Sequence, residues 1–163
     1  MGPQATASAI VQIGANLNRV QQQTEQLSGI DTDRRLRTRP RSGSWSACEY
    51  FAHVRDVLEF YTDRLELVLT VDRPKMTATD FNALASQLRY NEDDIEVVLN
   101  AIDRQALAIG RRLAEIAVDE WARFGIGSNG DERTVLYLAR SVAHEGRHHL
   151  FDVERVFREL KPS

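Results

Sequence analysis

Four segments of the chain repeat their apolar residues at steps of three and four, the spacing of one face of an α-helix. We therefore predict helices over about 10–27, 46–68, 91–116 and 131–160, with Ser28-Gly29 ending the first. No alternation of apolar and polar residues typical of a strand is found anywhere. Amphipathic helices of this number and length most simply form a four-helix bundle, so the predicted fold class is all-α.

The two long connections between these helices differ in composition. Residues 28–44 contain an arginine-rich run, Arg34 to Arg41, which we interpret as a solvated connection; binding of an anionic substrate or cofactor is the alternative. Residues 72–90 are expected to contain a short helix, because Phe81, Leu84 and Leu88 share a face. A chain of 163 residues suits one domain, which we predict to cover 1–163.

Net charge, hydropathy and cysteine content indicate which partners and which cellular compartment to expect. A net charge of −3 gives no reason to expect nucleic acid, and no apolar run approaches the roughly 18 residues that span a membrane. The first residues lack the features of a signal peptide, and a single cysteine, Cys48, suits a reducing compartment. We therefore expect a cytoplasmic protein with a small-molecule substrate. Cys48 itself is interpreted as a packed, inert residue, with a nucleophilic role as the weaker alternative.

The second helix carries a start signal of its own. Ser46 and Glu49 form the S-x-x-E pattern of a capping box, and Trp45 and Tyr50 are spaced to form a hydrophobic staple across it. These residues would fix the direction in which His53 points. Glu49 is thereby assigned to the helix cap, and we do not nominate it as a general acid or base.

All 4 histidines lie in two short segments that are far apart in sequence. His144 and His148 are spaced i, i+4, which places both rings on one face of the last helix, about 6 Å apart. Such a pair can reach one metal ion at about 2.0–2.1 Å but needs another ligand, and His53 lies at the edge of the buried face of the second helix. The sequence therefore predicts a metal site formed by His53, His144 and His148, with a coordination position left open for reaction.

Three neighbours of this pair have alternatives. His149 projects nearer the middle of the apolar stripe, so it is either a core histidine with a hydrogen-bonded ring or a ligand in place of His148. Asp152 suits a role in accepting an N–H from a liganding ring better than direct ligation. Gly146 costs about 1 kcal/mol in mid-helix relative to alanine, which points to close helix packing or to room for a ligand.

The segments "WSACEYFAHVRD" and "RTVLYLARSVAHEGRHHLFDV" together resemble the DinB-like superfamily of DinB/YfiT-like metalloenzymes. The resemblance implies a four-helix bundle of up-down-down-up topology that holds nickel, zinc, iron or manganese on the histidines matching His53, His144 and His148. Members usually carry a histidine directly before the last ligand; here Arg147 precedes His148. Asp152 stands where a glutamine or histidine is common.

The resemblance also suggests a reaction, because several relatives are transferases that join a low-molecular-weight thiol to an electrophile. A metal with an open position deprotonates a thiol at neutral pH, so we predict a metal-dependent S-transferase using a thiol of the mycothiol type. The alternatives are a metal-dependent hydrolase and a non-catalytic helical stress-response or interaction protein. A homodimer is expected because bundles of this family often pair.

Overall fold

The computed structural model describes residues 2–28 and 32–160, and for residues 23–28 the backbone alone. The elements found in this part are the helices α1 (Pro3–Ser28), α2 (Thr32–Arg37), α3 (Ala47–Thr70), α4 (Phe81–Gln87), α5 (Ile95–Glu115) and α6 (Val135–Glu159), two short 3-10 helices (Tyr90–Glu92 and Glu120–Ala122), and the strands β1 (Phe124–Ile126) and β2 (Glu132–Thr134). The four predicted helices correspond to α1, α3, α5 and α6, and the predicted short helix is α4. Gly29, expected just beyond the first helix, lies outside the described residues, as do the side chains of Thr24 and Leu27.

The four long helices form a ring in which α1 packs on α5 and α6, and α3 packs on the same two helices. Helices α3 and α5 run parallel. Arg55 near the start of α3 pairs with Asp93 just before α5 (Nη1–Oδ2 2.7 Å), and Glu66 near the end of α3 pairs with Arg112 near the end of α5 (Oε1–Nε 2.6 Å).

The other two long helices run against this pair. In α1 and α5, Asn18 bonds Asp103 (Nδ2–Oδ2 2.5 Å), whereas the earlier residue Val11 lies against the later residue Gly110. Helix α6 is likewise antiparallel to α3, with its late residue Arg155 beside the early Tyr50 of α3. The predicted all-α bundle of up-down-down-up topology is therefore confirmed.

The core is formed by the apolar stripes of all four long helices, and its largest buried side chains include Ile10, Phe51, Leu58, Ile102 and Ile109. At one point, α1 and α6 approach closely. A Cβ atom on Gly146 would lie 2.4 Å from Cδ1 of Ile13, so this glycine serves close helix packing, one of the two roles expected for it. Among the residues described, no helix is long and apolar enough to cross a membrane.

A small hairpin corrects the expectation that no strand occurs. Strands β1 and β2 pair antiparallel, with Phe124 opposite Thr134. Strands of 3 residues are too short to show alternation in sequence, because the period needs about four residues to become visible. The hairpin also moves the start of the last helix from about Asp131 to Val135, where the Thr134 hydroxyl accepts a hydrogen bond from the Tyr137 amide (3.0 Å).

Three arginines of the arginine-rich run form hydrogen bonds or ion pairs with other residues of the protein. Arg37 donates to the backbone carbonyl of Asn91 (2.6 Å), and Arg41 pairs with Glu159 (Nη2–Oε1 3.3 Å). Arg39 forms a two-pronged ion pair with Glu49 at the start of α3. These contacts favour the connecting role over binding of an anionic ligand.

Candidate metal centre

The start of α3 is fixed by the predicted capping box. The Ser46 hydroxyl accepts from the Glu49 amide (3.1 Å), and the Ser46 amide donates to Glu49 Oε2 (2.8 Å). The rings of Trp45 and Tyr50 pack with centroids 5.4 Å apart, as the staple requires. Glu49 is buried and its oxygens are already bonded to Ser46 and Arg39, so its role is structural.

His53 follows two turns later and is almost completely buried, with 6% of its surface exposed. Its ring meets Trp45 and Phe81 edge-on, with centroids 5.2 and 4.9 Å away. Burial, reinforced by the neighbouring His149, lowers the pKa of His53 to about 4. The ring is therefore neutral at pH 7, the form that binds metals, and its buried Nδ1 has no hydrogen-bond partner among the described residues.

Helix α6 brings two further donors to His53. The rings of His53 and His149 lie perpendicular, with centroids 4.5 Å apart. Glu145, one turn before His149, has Oε2 3.5 Å from His149 Nε2, and the hydrogen bond with His149 lowers the pKa of Glu145. One ligand atom from each of the three residues lies within 4.8 Å of the other two.

These three residues fit a divalent transition metal. Two imidazoles and one carboxylate form a donor set that zinc and iron accept, and the buried unpartnered Nδ1 of His53 is costly without an additional partner. The remaining coordination positions would be free for water or substrate.

Asp152 contacts the nitrogen of the His149 ring that does not face Glu145. Its Oδ2 accepts from Nδ1 of His149 (3.0 Å), and its Oδ1 accepts from Nη2 of Arg155 (2.7 Å). With the proton on Nδ1 held by Asp152, a bound metal ion would take the place of the proton that Nε2 of His149 shares with Glu145. This geometry matches the orienting role predicted for Asp152.

The other two histidines of the predicted ligand set do not join His53. His148 is exposed, with Nε2 3.5 Å from Asp152 Oδ2, and its ring stacks on that of His144 at a centroid distance of 6.0 Å. His144 is also exposed and lines a groove between α6 and α1. His148 also belongs to a second compact group, which it forms with His149 and Asp152. The set of His53, His144 and His148 thus remains a prediction, of which the structure places only His53 in the group with Glu145.

Glu145 is absent from the ligand set predicted from the sequence, although its spacing carries a signal. Glu145 and His149 have the same i, i+4 spacing as His144 and His148. With Glu145 in the first position, His148 directly precedes the last donor, as a histidine usually does in the family that the sequence resembles.

A cleft of about 420 Å³, open to solvent, leads to His53 and His149. Its walls are aromatic rings of Trp45, Tyr50 and Phe81, and Ser44 and Asn82 add polar groups; none of the described lining residues is lysine or arginine. Cys48 does not line this cleft. It is fully buried beside the Tyr90 carbonyl (Sγ–O 3.4 Å), and burial raises the pKa of its thiol to about 11, which favours the inert role.

Comparisons with known proteins bear on the family and the fold. A family model described as the DinB superfamily matches residues 16–151. One solved structure superposes with a TM-score of 0.82 at 19% identity, covering 99% of this chain and 89% of the other: YfiT from Bacillus subtilis, described as a probable metal-dependent hydrolase with an unusual four-helix bundle topology. At this identity the likeness establishes the fold alone. A comparison with curated proteins gave no match.

Proposed function

The chain belongs to the DinB superfamily, and on this premise we propose that it is a metal-dependent enzyme holding one divalent cation on His53, Glu145 and His149. The observation that carries the proposal is the convergence of these donors from α3 and α6, with His53 and His149 lining an open cleft. The proposed set keeps His53 from the sequence prediction and takes Glu145 and His149 in place of His144 and His148.

The proposed ligands and the rings around them would have different roles at the metal ion. A bound divalent ion would supply an acidified water or thiol, and hence a nucleophile at neutral pH. His53 and His149 offer one imidazole nitrogen each, and the carboxylate of Glu145 would offset part of the ion's charge. The rings of Trp45 and Phe81 pack on His53 and exclude water from that side of the ring.

The favoured reaction is transfer of a low-molecular-weight thiol of the mycothiol type to an electrophile. The character of the cleft supports an uncharged, polar thiol: its lining has no lysine or arginine among the described residues, and Ser44 and Asn82 offer hydrogen bonds beside aromatic walls. Aromatic faces and neutral hydrogen-bonding groups suit a sugar-bearing molecule better than a strongly anionic one.

A metal-dependent hydrolase is the second candidate. Its support is the donor set itself, because two histidines and a glutamate with a bound water occur in zinc hydrolases. The description of the YfiT structure points the same way, although for that protein alone.

The first experiment tests the cation and its ligands. Metal content is measured by mass spectrometry for the wild type, His149→Ala, Glu145→Ala and the matched control His148→Ala, each after chelation and reloading with zinc. We expect about one zinc per chain in the wild type and in His148→Ala, and a loss in the other two variants. Loss in His148→Ala with retention in His149→Ala would reject the proposed set and favour the ligands predicted from sequence.

The second experiment separates the reactions. The metal-loaded protein is assayed with a chlorodinitrobenzene electrophile and a panel of thiols, and in parallel with nitrophenyl esters and no thiol. Thiol-dependent turnover supports the transferase, and turnover without thiol supports the hydrolase. A protein that binds metal and shows neither activity would contradict both and favour a non-catalytic interaction role.

A further inference from the structure

Helix α6 presents a second face, turned away from the candidate metal centre. Arg147 and Phe151 each follow a proposed donor, Glu145 or His149, by two residues, which is about 200° around the helix. With α1, this second face encloses a groove of about 370 Å³, and exposed His144 lies at its edge. His144, one of the two histidines outside the proposed metal set, therefore lines a different cavity.

The floor of this groove is apolar. Ala9 and Ile13 of α1 and Ala143 and Leu150 of α6 line it, and its volume lies in the range of small-molecule sites. Phe151 also lines the groove, with 55% of its surface exposed to water. Because burial of apolar surface is favourable, an apolar ligand that covers this exposed ring and the apolar floor would bind favourably.

The rim of the groove is positively charged although the whole chain has a net charge of −3. Arg140 and Arg147 lie along α6, and Gln12 and Asn16 face them from α1. None of the described lining residues is acidic. The Arg147 guanidinium lies 5.9 Å from the centre of the Phe151 ring, so charge and apolar surface occur side by side.

We propose that the groove between α1 and α6 is a binding site for a small organic anion with an apolar body, such as an aromatic carboxylate. The carboxylate pairs with Arg147, and the body covers Phe151 and the apolar floor. A guanidinium binds a carboxylate through paired hydrogen bonds, which accounts for the charge of the ligand. The site is independent of the proposed metal centre, because the two use opposite faces of α6.

The test uses 2-naphthoate as the probe and 2-naphthamide as its uncharged counterpart, with binding followed by amide chemical shifts of the full chain. Naphthoate is expected to shift signals of residues 9–16 and 140–151 and to bind about tenfold more tightly than naphthamide, the value of one charge-assisted contact. Arg147→Gln should weaken naphthoate about tenfold and leave naphthamide unchanged. The matched control is Arg158→Gln, which removes an exposed arginine from the last turn of α6 and should change neither affinity.

Three results would overturn the proposal. The first is equal affinity for the acid and the amide, and the second is naphthoate affinity unaffected by Arg147→Gln. The third is a set of α1 and α6 signals that move with protein concentration alone, because the groove would then be covered by a second copy of the chain. His53→Ala distinguishes this site from the proposed enzyme: it should abolish metal binding and leave naphthoate binding intact.

Discussion

Removal of the charge on Asp152 gives the sharpest test of how the donors are held. Its Oδ2 accepts from Nδ1 of His149 at 3.0 Å, and only 5% of the residue is exposed, so water cannot readily replace this acceptor. Loss of such an outer partner of a liganding histidine typically costs about 10–100-fold in metal affinity, or about 1.4–2.7 kcal/mol. Asp152→Asn keeps an oxygen acceptor and loses the charge, so we expect about tenfold weaker zinc binding; Asp152→Ala removes the acceptor and should approach a hundredfold.

Zinc affinity is measured by competition with a chromophoric chelator, alongside the melting temperature of each variant. Arg155→Gln serves as the graded control, because Arg155 bonds the other oxygen of Asp152 (2.7 Å) and is itself half exposed; a few-fold loss is expected. Unchanged affinity in both Asp152 variants would refute the orienting role. Complete loss of zinc in both, with binding retained in His53→Ala, would instead make Asp152 a direct ligand together with His148.

Two further predictions concern the packing around the site. Cys48 should resist alkylation in the native protein at pH 8 and react fully in guanidinium: it is buried, and with a pKa of about 11 only about a thousandth of it would be thiolate. Rapid native labelling with an intact circular-dichroism spectrum would contradict this. Gly146→Ala should reduce the free energy of unfolding in urea by about 1 kcal/mol, because overlap with Ile13 outweighs the gain in helix propensity. In an Ile13→Ala background the same substitution should stabilise the protein, and destabilisation there would show that packing against Ile13 is not the cause.

The parts of the fold that follow from short-range signals were predictable from sequence. The capping box of Ser46 and Glu49 acts over three residues, and it placed the start of α3 correctly. The hairpin was not predictable in the same way, because β1 and β2 gain their order from pairing with each other across a turn. Asp131, the predicted start of the last helix, lies in the connection between the two strands, and Thr134 provides the cap.

For the candidate site, the sequence pointed to histidine ligands on the second and last helices and left open which residues of the last helix face α3. The pairs 144/148 and 145/149 have identical spacing, so spacing alone cannot decide which pair faces α3. That choice depends on the rotation of α6 about its axis. Contacts between residues far apart in sequence, such as Gly146 and Ile13, determine this rotation. Two local indications favoured the second pair: the position of His149 near the middle of the apolar stripe, and the histidine directly before it. A buried histidine with a bonded ring accounted for the first of these equally well.

The parallel course of α3 and α5 has a consequence for how a scaffold of this kind diversifies. Between two parallel helices the chain has to travel back the length of the first, about 36 Å for the 24 residues of α3. The return segment, residues 71–94, carries Phe81 and Asn82 of the candidate cleft. Ala85 and Tyr90 of the same segment belong to a small apolar cluster outside the main core. Substitutions in this return segment can therefore change the wall of the candidate cleft while the proposed metal ligands and the main core remain the same.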